Sequence, residues 1–255
     1  MAKRAFAIAS HPDDIEFMMA GTLIRLKELG YEIHYMNIAD GALGGNMLNH
    51  RDLAARRREE AMASAEMIGA IFHESITHDL EVFYNTEQLT KVVREVRSVD
   101  PEIVLTHGPF DYMEDHINAG RLAVSAAFCR GMGNFRGAED IPPVMTDVAV
   151  YHSLPLSLKD QLNRPVTPDI FVDVTSTIPA KRAMLNCHQT QKQWLDESQG
   201  MDAYLEDMVA RAKAMGDLCG FCDYAEGWVR HNPNGFCPDS FDPLSVIARP
   251  AAKQL

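Results

Sequence analysis

Hydrophobic and polar positions follow two different periods along residues 1–130, which predicts strands alternating with helices. Residues 4–9 form a short apolar run that ends in a polar turn, which is typical of a buried parallel strand. Residues 31–39 alternate in polarity, residues 102–106 form another apolar run, and residues 70–75 form a weaker one. Such an alternation predicts a parallel sheet whose strands are joined by right-handed crossovers.

Segments whose apolar residues have helical spacing lie between these strands. Met19, Leu23 and Leu26 share one helical face, and Gly30 is placed to end that helix. Asn85 stands three residues before Gln88, which resembles a capping box at the start of a helix. Three further helices are predicted: over 51–69, over the segment in which Leu89, Val92, Val93 and Val96 share a face, and from His116 to Cys129.

The pattern is looser beyond residue 130. Four elements are predicted there: strands over 146–151 and 169–174, and helices over 178–195 and 200–215. No linker rich in Pro, Gly or Ser separates this part from the first. We therefore expect one domain over 1–255, in which 1–130 is the core and 131–255 is a C-terminal elaboration that shapes a substrate pocket.

Composition narrows the classes of partner. The 255 residues carry a formal charge of −12, which argues against nucleic acid or an anionic membrane surface as a partner. No apolar run approaches the roughly 18 residues of a spanning helix, and the first apolar run is too short for a signal peptide. Five cysteines are an odd number, which fits reduced thiols better than a disulfide framework. We expect a cytoplasmic protein that acts on a small molecule.

The segment from Ser10 to Asp14 lies where the first strand meets the first helix. Ligands in open α/β sheets bind beyond the carboxyl ends of the strands, at the point where the strand order reverses. His11 and Asp14 offer an imidazole nitrogen and a carboxylate oxygen, a normal pair of ligands for catalytic zinc. On spacing alone, the pattern fits equally well a polar turn in which Asp14 caps the helix.

A second polar cluster, residues 107–116, follows the fourth strand. In a sheet whose order begins 3-2-1-4, the first and fourth strands are neighbours, so the loops that follow them meet. His116 is then placed to supply the third ligand that a catalytic zinc site requires.

Three stretches together resemble the LmbE-like (PIG-L) zinc de-N-acetylases: SHPDDIEFMMAGTLIRL, NIADGALGG and RREEAMASAEMIGA. The resemblance covers residues 4–130, and a weaker similarity lies at Asp223–Gly227. The resemblance implies a Rossmann-like, mostly parallel α/β sheet with helices on both faces, and Zn²⁺ or another divalent transition metal. It also implies that an acetyl group is removed from an N-acetylated amino sugar or its conjugate. Many relatives assemble as trimers or hexamers, so a homo-oligomer is expected.

The resemblance also implies roles for particular residues. His11, Asp14 and His116 correspond to the metal ligands, Asp13 to the general base, and Asp115 to an aspartate that orients the family's acid histidine. Arg51 is the nearest match to an arginine that contacts substrate. Three more residues are candidate substrate contacts because they end or follow strands on the same side: Asp40, Asp111 and Tyr112.

One position departs from the family pattern. The family's second motif begins with a histidine that assists as an acid, and Met113 stands there in this chain. Either Tyr112, His107 or Glu114 substitutes for it, or the reaction is altered. Three hypotheses stay open: an amide hydrolase, a hydratase of an unsaturated acid that uses the same metal, and a non-catalytic metal-binding protein.

Other polar clusters have plainer interpretations. Arg56–Arg58 with Glu59 and Glu60 are expected to form a solvated helix face, and His152 and His188 to be structural. Gly41, Gly44 and Gly45 are expected to leave room for substrate near the metal. Cys219 and Cys222 have the C-x-x-C spacing of a zinc site but lack a second such pair, so they are expected to be ordinary loop cysteines.

Overall fold

The structure, a computed structural model, describes residues 3–45, 48–199 and 204–252. The strands of this part of the chain are β1 (Arg4–Ala9), β2 (Glu32–Asn37), β3 (Ile71–His73), β4 (Ile103–His107), β5 (Ala149–Ser153), β6 (Ile170–Asp173), β7 (Ala225–Arg230) and β8 (Ala248–Arg249). The helices are α1 (Asp14–Met18), α2 (Ala20–Glu28), α3 (His50–Met67), α4 (Thr86–Val99), α5 (Glu114–Cys129), α6 (Ile178–Leu185), α7 (Gln189–Gln199) and α8 (Tyr204–Cys219).

All of these strands belong to one sheet with the order β3-β2-β1-β4-β5-β7-β6-β8. The strands from β3 to β5 in this order are mutually parallel, whereas β7 runs antiparallel to both β5 and β6. The order therefore begins 3-2-1-4, and the predicted α/β class with a mostly parallel sheet is confirmed.

Helices cover both faces of the sheet. Along β1, Ala5 and Ala7 face a cluster that includes side chains of α2, α3 and α6, while Phe6 and Ile8 face a second cluster built with α4 and α5. Because successive side chains of a strand point to opposite faces, the unbroken apolar run from Ala5 to Ala9 is typical of a strand buried on both sides.

The observed elements differ from the predicted ones in several places, including the two-residue strand β8, which was not predicted. The first helix is interrupted at Met19, whose φ of −131° separates α1 from α2. The helix predicted over 178–195 is two helices, because the chain turns at residues 186–188 and directs His188 inward. Strand β7 was missed because Glu226 and Gly227 break the apolar pattern, and residues 200–203 of the last predicted helix lie outside the described residues.

No helix in the described ranges has the length and apolar character that a bilayer crossing demands.

Candidate active site

The loops that follow β1 and β4 meet at the carboxyl ends of the strands. The backbone N–H of Ser10 donates a hydrogen bond of 2.9 Å to Nε2 of His107, which joins the two loops. A cavity of about 390 Å³ opens beside this junction. Its wall includes His11, Asp13, Asp14, Phe17, Arg57, Asp79, Tyr112, Met113, Asp115, His116, Trp194 and Tyr204.

His11, Asp14 and His116 present their ligand atoms to one point in this wall. These atoms lie within 4.8 Å of one another. Nδ1 of His11 is 3.5 Å from Oδ2 of Asp14, and Nε2 of His116 is 3.4 Å from Oδ1 of the same carboxylate. Two imidazoles and one carboxylate that wall an open cavity fit a divalent transition metal with a position left for a reactant.

Two further carboxylates hold the histidines of this set. Oδ2 of Asp115 lies 3.0 Å from Nε2 of His11 and accepts a hydrogen bond from the N–H of Leu80. Oδ2 of Asp111 lies 3.2 Å from Nδ1 of His116. A carboxylate on the far nitrogen of a metal-binding imidazole fixes its orientation and raises its basicity. Asp111 is buried behind His116 and does not line the cavity. Its position therefore does not fit the substrate contact that was expected of it.

A deeper set of potential ligands, His107, Asp111 and His116, shares one histidine with the first set. Its members other than His116 do not reach the cavity wall. The rings of His107 and His116 stack with their centroids 4.1 Å apart, and Nε2 of His107 is occupied by the Ser10 amide. His107 therefore supports the position of His116 from within the core.

The carboxylates around the two histidines favour their protonated forms. Burial lowers the pKa of His11, but hydrogen bonds to Asp115 and Asp14 outweigh it and raise the pKa to about 10. Burial is likewise outweighed at His116, where the charge of Asp14 and the contact with Asp111 raise the pKa to about 9. An ion that binds here must displace these protons.

Asp13 is buried beside Asp14 and has a φ of +110°, a backbone conformation that side-chain-bearing residues seldom adopt. The hydroxyl of Tyr204 donates a hydrogen bond of 2.6 Å to Oδ2 of Asp13. Burial and the charge of Asp14 raise the pKa of Asp13 to about 7. The carboxylate is thus poised to gain and lose a proton near neutrality.

His188 contributes to the electrostatics of Asp13 from behind. It is fully buried, and its Nε2 lies 3.3 Å from Oε1 of Glu16. Burial opposes its protonation, but the charge of Glu16 raises the pKa of His188, and the positive charge in turn lowers the pKa of Asp13. His188 does not line the cavity, so it acts on the site through Asp13.

The arginine at the cavity is Arg57. Arg51 is exposed on α3 and lies outside the cavity wall, whereas Arg57 is buried and lines it. Nη2 of Arg57 donates to the carbonyl of Gly44, and its Nε finds no hydrogen-bond partner among the described residues. A Cβ at Gly41 would stand 2.7 Å from Cδ of Arg57, so this glycine leaves room for the arginine rather than for substrate. Arg57 lies four residues after the buried Leu53 and four before the buried Ala61, and this helical spacing was the available signal.

The predicted solvated face of α3 is accordingly wrong at two of its positions. Arg57 is 3% exposed and Glu60 is 5% exposed. Glu60 accepts a hydrogen bond of 2.7 Å from the hydroxyl of Thr190 at the start of α7. Glu60 thus contacts the C-terminal part of the chain, whereas Arg57 is hydrogen-bonded to the loop that follows β2.

The remaining candidates are divided between the cavity and its surroundings. Tyr112 and Met113 line the cavity. Asp40 does not, because its Oδ2 is hydrogen-bonded to Nδ1 of His78 outside it. His152 donates from Nδ1 to the carbonyl of His107. Burial lowers the pKa of His152 to about 4, so it is a neutral structural residue as expected.

The cysteines stay apart from the candidate metal set. The Sγ atoms of Cys219 and Cys222 lie 3.4 Å apart at the end of α8. In the described part of the chain, no group of three potential metal ligands includes a cysteine.

Fold and site together define an α/β protein with a candidate His/Asp metal site where the loops after β1 and β4 meet. Residues 6–127 match the sequence profile of the PIG-L family, described as GlcNAc-PI de-N-acetylase, and this part of the chain is a PIG-L (LmbE-like) domain. The resemblance seen in the sequence is confirmed.

Individual relatives are enzymes of two kinds. The diacetylchitobiose deacetylase of Thermococcus kodakarensis is 29% identical over 200 residues, which cover 74% of this chain and 70% of that protein. The 4-oxalmesaconate hydratase of Pseudomonas putida is 28% identical over 203 residues, which cover 74% of each. The solved structure of the N,N'-diacetylchitobiose deacetylase of Pyrococcus horikoshii is 24% identical, with a TM-score of 0.75 over 94% of this chain and 88% of that chain, and shares its fold.

Proposed function

We propose that this protein is a zinc-dependent hydrolase that removes an acetyl group from the amide nitrogen of a small N-acetylated amino-sugar-like substrate. The observation that carries the proposal is the convergence of His11, Asp14 and His116 on one cavity wall beside the buried carboxylate of Asp13. The family match and the deacetylase relative support the same reaction class.

Zinc held by His11, Asp14 and His116 would polarise the amide carbonyl and lower the pKa of a water molecule at the open position. Asp13 takes the proton of the attacking water through its Oδ1, because the Tyr204 hydroxyl occupies Oδ2. The same carboxyl then returns that proton to the departing nitrogen. The products are acetate and a free amine, so one water is consumed for each amide bond broken.

The cavity suits a sugar-sized compound. Its volume of about 390 Å³ lies at the lower end of the range of small-molecule sites. Phe17, Tyr112 and Trp194 supply flat apolar faces to its wall, while Arg57 supplies a positive charge. We propose that Arg57, rather than Arg51, contacts the substrate.

A hydratase of an unsaturated acid is the second candidate. Met113 lines the cavity at the position where the family places an acid histidine, and a thioether cannot donate a proton. A hydratase is also among the relatives of similar identity. Asp13 would still take the proton of the attacking water, and that proton would pass to the other carbon of the double bond, so no departing amine would have to be protonated.

The two reactions are separated by measuring products and metal together. Purified protein is analysed for metal content and assayed for acetate release on N-acetylated sugars and for hydration of unsaturated dicarboxylic acids. We expect zinc bound at the candidate centre and acetate release that falls about 10²–10⁴-fold in Asp13→Asn while metal is retained. Asp217→Asn, an exposed aspartate on α8, is the control and keeps full activity. Hydration without acetate release would establish the second candidate instead.

Restoring the family's histidine tests the role of Met113. We expect Met113→His to keep the metal and to raise acetate release modestly, because removing one donor from such sites typically costs about 10²–10³ in rate. If the native reaction is hydration, the same substitution abolishes it without creating amidase activity. Loss of metal in Met113→His would show that Met113 is a packed structural side chain and that this loop is misaligned with the family motif.

A further inference from the structure

A second group of potential ligands lies outside the cavity, on three segments that meet at the surface. Asp40 follows β2, His50 begins α3, and His78 follows β3. One ligand atom from each lies within 4.8 Å of the others. We call these three residues the external histidine cluster.

The contacts within the external histidine cluster are close and polar. Oδ2 of Asp40 is 2.5 Å from Nδ1 of His78, and the rings of His50 and His78 stand edge to face with centroids 4.6 Å apart. The second carboxylate oxygen, Oδ1 of Asp40, accepts a hydrogen bond from the N–H of Ala42, which fixes the carboxylate plane. Because the His78 side chain is 53% exposed, an ion and its water molecules can reach the group from solvent.

We propose that the external histidine cluster is a second divalent-metal site, separate from the candidate catalytic centre. Two imidazoles and a carboxylate are a donor set that zinc and neighbouring transition metals accept, with solvent completing the coordination. Ligands of a tetrahedral zinc lie about 3.3 Å apart, given bonds of about 2 Å to each. Asp40 and His78 therefore separate slightly when the ion replaces the proton they share, and that proton passes to solvent.

Local charge favours a cation at this place. Asp79 and Glu81 stand beside His78 in the chain, in a protein whose formal charge is −12. No cysteine is needed, and the exposed histidines can exchange their ion with solvent. We therefore expect weaker and faster binding than at the buried set of His11, Asp14 and His116.

The external site is connected to the mouth of the cavity through one residue. Asp79, which follows His78, accepts hydrogen bonds from the N–H groups of Gly41 and Leu43. Its Oδ1 is also 4.0 Å from Nε2 of His11. An ion bound by Asp40 and His78 would therefore restrain the loop over residues 40–43 in two ways. It would hold the first residue of the loop directly, and it would hold Gly41 and Leu43 through Asp79.

The test is a zinc titration of the full chain after metal removal with a chelator, read by equilibrium dialysis and metal analysis. We expect the unmodified protein to bind two zinc ions per chain. His78→Ala and His50→Ala should each reduce the affinity for the weaker ion at least tenfold. His11→Ala gives the reverse result, losing the tighter ion and keeping the weaker one. Asp52→Asn, an exposed aspartate on the first turn of α3, is the matched control and keeps both ions.

A second measurement follows the loop directly. Hydrogen exchange at the amides of Gly41 and Leu43 should slow as the weaker site fills, and His78→Ala should remove this effect. Binding of a single ion per chain that is lost in His11→Ala and kept in His78→Ala would overturn the proposal. A second ion that survives both His50→Ala and His78→Ala would also overturn it, since that ion would bind elsewhere. Neither readout uses enzymatic activity, so failure here leaves the proposed hydrolase unaffected.

Discussion

Asp13 shows how a single side chain is tuned by what surrounds it. Burial and the charge of Asp14 raise the pKa of Asp13 towards neutrality, while His188 and the Tyr204 hydroxyl lower it. The sequence identifies Asp13 through its motif, but Tyr204 lies 191 positions further along the chain and carries no local signal of its contact.

Tyr204→Phe tests this contact through the pH dependence of the reaction. Removing the donor raises the pKa of Asp13, because the hydroxyl stabilises the ionised form. Activity requires that ionised form, so the acid limb of the kcat profile moves to higher pH. We expect little change well above that limb. Tyr84→Phe, an exposed tyrosine away from the cavity, should leave the profile unchanged. An unshifted acid limb in Tyr204→Phe would show that Asp13 is not the base.

Arg57 and Arg51 form a matched pair on one helix. We expect Arg57→Ala to raise KM at least tenfold, because a charge and a wall of the cavity are removed together. Arg51→Ala should leave kcat and KM unchanged, because that side chain is exposed outside the cavity. Steady-state kinetics on the same substrate decides between them. A KM effect in Arg51→Ala alone would reverse the assignment.

At the scale of elements, β7 fastens the C-terminal part of the chain to α2. Glu226 of β7 accepts hydrogen bonds from the N–H groups of Gly21 and Thr22 in the first turn of α2, and it forms a buried ion pair with Lys181. Its carboxylate satisfies amides that the helix itself leaves unpaired and lies at the positive end of the helix dipole.

Glu226→Gln should therefore destabilise the fold strongly. Breaking a buried pair leaves an unpaired charge on Lys181, which typically costs about 3–5 kcal/mol of the free energy of unfolding. The measurement is urea unfolding followed by circular dichroism. Glu87→Gln, which breaks the exposed pair with Lys91 on α4, should leave the unfolding midpoint nearly unchanged. Equal effects of the two substitutions would contradict a structural role for Glu226.

At the scale of the whole molecule, the predicted core of 1–130 depends on the rest of the chain. The cluster on the β1 face includes Met184, Ala212 and Trp228 from the C-terminal part together with Ala5 and Ala7. Strand β4 also pairs with β5 along its outer edge. The single domain over 1–255 stays a prediction, and so does assembly into a trimer or hexamer.

A fragment of residues 1–130 tests that prediction. We expect it to lack a cooperative unfolding transition and to aggregate, because it exposes the edge of β4 and the apolar surface that Trp228 covers. The full chain should unfold in a single transition. Urea titration and sedimentation of both proteins provide the measurement. A stably folded fragment that binds zinc would mean that the C-terminal part is a separate unit.

The sequence by itself determined those strands and helices whose structure depends on residues close together in the chain. Periodicity predicted β1, β2 and β4 and the helices α3 and α4, because burial on a sheet or along a helix face imposes a regular spacing on apolar residues. The cap at Asn85 was also readable, and its side chain accepts the amide of Gln88. The motif pointed to His11, Asp14 and His116 as candidate ligands, and the observed strand order 3-2-1-4 brings their loops together.

Only the tertiary structure decided the remainder. It placed Arg57 rather than Arg51 at the cavity, set Tyr204 on Asp13, and joined Asp40, His50 and His78 into one cluster. Tyr204 and Asp13 are 191 positions apart and His78 and Asp40 are 38 positions apart, so neither contact alters the local period of the segments that make it. Burial, charge interactions and hydrogen bonds depend on distances in space, and the spacing of apolar residues along the chain does not report those distances.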